Sequence, residues 1–83
     1  MKRLLGAMEN HQYTTQGDHW ISQLFSSNAA LRGSVVRRSR YWVEREVGRA
    51  HFENVVRERG FHLIEAGDQF IVVCNNKPIR LLF

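Results

Sequence analysis

Arginine is unusually dense near the middle of the chain, in the stretch RRSRYWVER from Arg37 to Arg45, and Arg49 follows four residues later. A guanidinium presents a planar fork of donors that matches phosphate and carboxylate oxygens. A basic strand leading into a helix start adds free backbone N–H groups that also favour anions. Tyr41 and Trp42 supply aromatic faces on which bases stack when exposed. Arg37, Arg38, Arg40, Arg45 and Arg49 are therefore the candidate nucleic-acid or anion site. The same residues support a plainer reading. Arg38 and Arg45 are then solvated, Glu46 pairs with Arg49 at helical spacing, and Trp42 belongs to the core. Arginine at a helix start opposes the helix dipole unless an anion sits nearby. Convergence of the five on one face separates the two readings.

No other group of residues assembles chemistry. His11, His19, His51 and His62 lack the i, i+3 or i, i+4 spacing, to each other or to Cys74, that a helical metal site needs. G-x-S-x-G and P-loop patterns are absent. Cys74 lies among Val72, Val73 and Phe61, where a thiol packs and does not react. Glu65 stands out because strand pairing sets it opposite Phe70; Arg80 is its expected partner. No catalytic residue, metal ligand or cofactor is assigned, and the chain is expected not to be an enzyme.

These side chains must be held by a small set of elements. Residues 1–17 have no sustained period and are expected to be a flexible tail ahead of a domain spanning 18–83. Asp18 is an N-cap candidate, and Trp20, Ile21, Leu24, Phe25 and Leu31 predict a helix over about 19–31, closed by Gly33. Ser34–Arg38 reads as an edge strand, and Ser39 as the cap of the next helix. From Val43 at about 100° per residue, Val47 and Ala50 fall near about 40° and 340°, while Phe52, Val55 and Val56 fall near about 180°, 120° and 220°. One straight helix would carry two opposed apolar stripes. Gly48 sits where the stripe changes side, so a break is expected there.

The remainder reads as strand. Gly67-Asp68 is a two-residue hairpin turn that pairs Glu65 with Phe70 and Leu63 with Val72. After the turn at Asn75–Pro78, Ile79–Phe83 is expected to form a last strand. The result is an α+β domain of two to three helices on a three- to four-stranded, mainly antiparallel sheet, in the order α-β-α-β-β-β. Phe61, Leu63, Phe70, Val72 and Cys74 line one face, and His62, Ile64, Ile71 and Val73 the other. Both faces are apolar, whereas a solvated antiparallel sheet alternates. Either the first helix crosses the back of the sheet or a second subunit covers it, and a homodimer is the expected assembly.

Composition limits the partners. Eighty-three residues make one domain that hides about 60–65% of its unfolded surface. The net charge of +4 lies wholly between Arg32 and Arg59. One cysteine rules out a disulfide within the chain and suits a reducing cytoplasm. The apolar run Leu4–Met8 is shorter than a signal sequence requires, and no stretch nears a membrane span of roughly 20 residues. The expected partner is a second copy or another protein, with nucleic acid as the alternative and no membrane.

Two resemblances bear on this reading. VVRERGFHLIEAGDQFIVVCNNKPIRLL, from Val55 to Leu82, resembles the helix–Gly–aromatic–strand–turn–strand–strand pattern of HicA-type toxins, small ribonucleases with a sheet like that of double-stranded-RNA-binding domains. In that family a histidine follows the hairpin glycine. Here Asp68 and Gln69 follow Gly67 and the terminal helix is missing, so the activity does not carry over. Val35–Phe83 is also similar to short bacterial reading frames, some labelled N-(5′-phosphoribosyl)anthranilate isomerase. That enzyme is a (β/α)₈ barrel of roughly 200 or more residues, a length this chain does not reach.

Overall fold

Ser39 ends a strand and starts a helix, and most of the architecture hangs from that junction. In the computed structural model, residues 16–83 are described. They form α1 (Gln16–Phe25), α2 (Asn28–Leu31), β1 (Val35–Ser39), α3 (Arg40–Glu46), α4 (Arg49–Glu58), β2 (His62–Ala66) and β3 (Gln69–Val73). The Ser39 side chain accepts from the Trp42 amide at 3.4 Å, as an N-cap does. The Arg40 amide donates to the Asp68 carbonyl at 2.8 Å, which ties the start of α3 to the tip of the β2–β3 hairpin.

The sheet is antiparallel throughout, in the order β1-β3-β2. The hairpin has the expected register, with Glu65 opposite Phe70 and Leu63 opposite Val72, and Gly67 at its tip takes a φ of 61°. Ile79–Phe83, by contrast, is not a strand. A meander would have laid it beside β3, but β1 occupies that edge, with Val35 opposite Val73 and Ser39 opposite Gln69. The chain instead leaves the sheet at Cys74, whose amide donates to Ser34 O at 2.9 Å.

All helices pack on one side of the sheet. Val36, Phe70 and Val72 point to that side and are buried with Val43, Phe52, Val56, Ile21, Leu24 and Phe25. Phe52 is the hub. It is fully buried, and its ring meets Phe70 at 5.6 Å and Trp20 at 6.3 Å between centroids. Phe25 and Phe61 meet at 5.9 Å. Helix α1 therefore joins this core, so the alternative in which it crosses the back of the sheet does not hold.

The expected helix over 19–31 is in fact two. Ser26 Oγ donates to the Ser22 carbonyl at 2.6 Å, and Ser27 caps α2 by accepting from Ala30 N at 3.3 Å. Serine hydroxyls compete with the helical ladder in this way, and here they end it. Helix α1 also begins before Asp18, which therefore lies in its first turn, where a carboxylate favours the dipole. The folded unit thus reaches back to Gln16, with Gly17 buried; the rest of the expected tail, residues 1–15, lies outside the described residues.

The break at Gly48 is present. Helix α3 stops at Glu46, α4 starts at Arg49, and Gly48 between them has φ 94° and ψ 136°. The turn lets Val43 and Phe52, which a straight helix would set on opposite sides, enter one core.

Candidate interaction surface

The structure disperses the five candidate arginines. Arg37 and Arg38 are successive strand residues and leave β1 on opposite faces; Arg38 Nη1 folds back onto the Arg37 carbonyl at 2.7 Å. Arg45 lies on α3 beside the aromatic pair, with its Nη1 donating to Tyr41 Oη at 2.9 Å. Only Arg40 and Arg49 converge, and they converge on acids. Arg40 Nη1 reaches Glu65 Oε2 at 2.8 Å and Arg49 Nη2 reaches Glu65 Oε1 at 2.6 Å. Glu44 and Glu53 complete the cluster, at 3.6 Å and 3.0 Å from Arg49. Two guanidiniums thus face three carboxylates.

This arrangement answers the oddity of Glu65. Its expected partner, Arg80, is not there, and Arg80 has no partner among the described residues. Hydrogen bonds from Arg49 first and Arg40 second hold the Glu65 carboxyl below its ordinary value of 4.5. Hydrogen bonds to Glu65 first and Glu53 second hold the Arg49 guanidinium above its ordinary value, so it stays charged. Arg49 also lies over the Phe70 ring at 5.3 Å. The expected Glu46–Arg49 pair does not form, because the break at Gly48 separates their helices. Glu46 instead accepts from Gln16 at 3.1 Å and lies 3.9 Å from Arg45. The i, i+4 spacings Arg40–Glu44 and Arg49–Glu53 were the signal for this network.

Trp42 is not a core residue. It is 50% exposed, and Val43 takes the buried position beside it. Tyr41, 58% exposed, meets Trp42 edge to face at 5.1 Å, and Arg45 lies 5.7 Å from the Trp42 ring centre. Two rings and a guanidinium are thereby held together on the surface of α3.

The sheet offers a second surface. Its face away from the helices carries Val35 and Arg37 of β1, Ile71 and Val73 of β3, and His62 and Ile64 of β2. No described element packs across it, and Val35 and Ile64 are 49% and 37% exposed. On the helix side, an open groove of about 440 Å³ runs between α4 and the outer edge of β2. Val56, Phe61, Leu63 and Phe70 form its floor, and Arg49, Glu53 and Glu65 stand on its rim. Among the described residues, no strand lies beside the outer edge of β2.

The segment after β3 is tied down at two points. Asn75 Nδ2 donates to the Gly33 carbonyl at 2.8 Å, and the His62 Nε2–H donates to the Lys77 carbonyl at 2.7 Å. Beyond Lys77 the segment is bare. Leu81 and Leu82 are 87% and 72% exposed, and Phe83 is fully exposed.

Cys74 is buried, and burial pushes its thiol upward. His51 is exposed, 3.5 Å from the Asp18 carboxylate. Among the described residues no group of three or more His, Cys, Asp or Glu is placed to hold a metal, and no helix is long and apolar enough to cross a membrane. No protein-family model, curated protein or solved structure matches this chain.

Proposed function

We propose that this chain is a non-enzymatic interaction module of the cytoplasm that pairs two copies through the open face of its sheet. The observation that carries the proposal is the apolar band Val35, Ile64, Ile71 and Val73, over which no described element lies. Burying such a band against its own copy removes apolar surface from both partners at about 25 cal/mol per Å². Light scattering after size exclusion tests it. The chain should run as a dimer at about 100 μM, well above a micromolar Kd. Ile64→Lys, at an exposed position, should leave a folded monomer. A wild-type monomer at that concentration defeats the proposal.

A second reading, binding of single-stranded nucleic acid, draws support from the exposed Tyr41–Trp42–Arg45 cluster. Base stacking on such rings contributes about 1–3 kcal/mol per base. The neutralisation of Arg40 and Arg49 by Glu44, Glu53 and Glu65 weighs against it. If mixed-sequence DNA and RNA show no mobility shift at about 50 mM salt, this reading falls.

A further inference from the structure

We infer that the copies exchange the segments that follow β3: Ile79–Phe83 of each crosses to the other and its far part adds as a short strand to the outer edge of β2 there. This rests on the sheet pairing just proposed and names the element that locks it. Three observations lead to it. The segment is a largely apolar stretch outside any helix or strand, and it leaves Leu81, Leu82 and Phe83 in solvent. The strand position it would take beside its own β3 is filled by β1. Among the described residues no strand takes the outer edge of β2, and a groove with an apolar floor lies beneath it.

Reach, charge and area all agree. The last anchor, His62 to Lys77, stands on the open face, where a paired copy would lie. Six extended residues from Pro78 to Phe83 span about 20 Å, and stacked sheets lie about 10 Å apart, so about three residues make the crossing and about three remain to lie along the partner's edge. Side chains alternate along an added strand. With Arg80 and Leu82 turned to the groove, Leu82 covers the half-buried Leu63 and Phe61, and Arg80 meets the rim at Glu53 and Glu65. There it supplies the third guanidinium to a cluster of two guanidiniums and three carboxylates. Leu81 and Phe83 then widen the apolar band between the two sheets. Reciprocal exchange adds two such segments to the sheet pairing, toward the roughly 1,200–2,000 Å² that a specific, stable interface buries. Main-chain bonding to a free sheet edge with alternate side chains in a groove is a general mode of segment recognition.

The test is sedimentation equilibrium on the full chain and on Leu82→Asp and Ile64→Lys, at about 1–300 μM. Leu82 and Ile64 are 72% and 37% exposed, so both variants should keep the fold by circular dichroism. The exchange predicts a wild-type dimer that Leu82→Asp weakens by about 100-fold or more, since two buried leucines are lost per dimer. A Leu82→Asp dimer as tight as wild type, with Ile64→Lys monomeric, overturns the exchange and leaves the sheet pairing standing. A monomeric wild type overturns both. A second measurement places cysteines at Arg80→Cys and Glu53→Cys in a Cys74→Ala background. A disulfide joining two chains supports the exchange; one closing within a single chain overturns it, because the segment then folds onto its own β2.

Discussion

Replacing Gly48 with alanine tests whether the break between α3 and α4 is imposed by the fold. Gly48 has φ 94° and ψ 136°, a region that side chains rarely enter. Holding an L-residue there costs on the order of 1–3 kcal/mol. A Cβ at Gly48 meets nothing within 4 Å, so no steric cost is added. Alanine also narrows the unfolded ensemble, which returns about 0.4–1 kcal/mol. The net expectation is a loss of about 1–2 kcal/mol. In a domain this small the melting temperature then falls by roughly 5–15 °C. Urea unfolding followed by circular dichroism measures the free energy, and a thermal scan the shift. The alternative gives the opposite sign. Were residues 40–58 free to run as one helix, Gly48→Ala would gain about 1 kcal/mol of helix propensity. A Gly48→Ala variant as stable as wild type, or more stable, therefore refutes the reasoning.

Other substitutions probe the core and the ion cluster. Phe52→Ala should lose about 3–5 kcal/mol, against a total of roughly 4–12 kcal/mol for a chain of this length. Its amide proton spectrum should collapse toward random-coil dispersion, and a cooperative melt within a few degrees of wild type would contradict its role as hub. Glu65 has a folded pKa below its ordinary 4.5. Its contribution is thus present above that value and lost as pH falls through the folded pKa. Glu65→Gln should therefore be less stable than wild type at pH 7, and the difference should shrink in acid and at high salt; a gap that widens in acid would overturn the assignment. Cys74 is 3% exposed with a raised thiol pKa. Its reaction with a disulfide reagent at pH 8 should be on the order of 100-fold slower in the folded chain than in denaturant, and equal rates would show that the strand end opens freely.

What was legible in the sequence was local. Gly67-Asp68 sets the hairpin register, Ser39 caps α3, and the opposed stripes of Val43 and Phe52 announce the turn at Gly48. What was not legible depends on partners distant in sequence. Nothing near Val35–Ser39 says that it lies beside β3, and that pairing is what leaves Ile79–Phe83 without a place. Trp42 resembles a core residue by type, yet the turn into α3 gives the inward position to Val43. Glu65 shows its oddity in the register, but its partners arrive from α3 and α4 only once both helices lie on the sheet. The arginines misled for the same reason: alternation along β1 sends Arg37 and Arg38 to opposite faces, and the bend at Gly48 carries Arg49 to Arg40 and the acids around Glu65.

The hairpin tip at Gly67-Asp68 has a consequence for anyone who would alter this chain. Exposed two-residue turns are normally where tags, insertions and new chain ends are best accepted. Here the Asp68 carbonyl receives the Arg40 amide and the Gly67 carbonyl receives Arg40 Nη1 at 3.0 Å. Lengthening that turn would detach the start of α3 and the guanidinium that Glu65 shares. The point that looks most open to insertion is thus a splice between the two halves of the chain, and a graft there would disturb α3 as much as the hairpin.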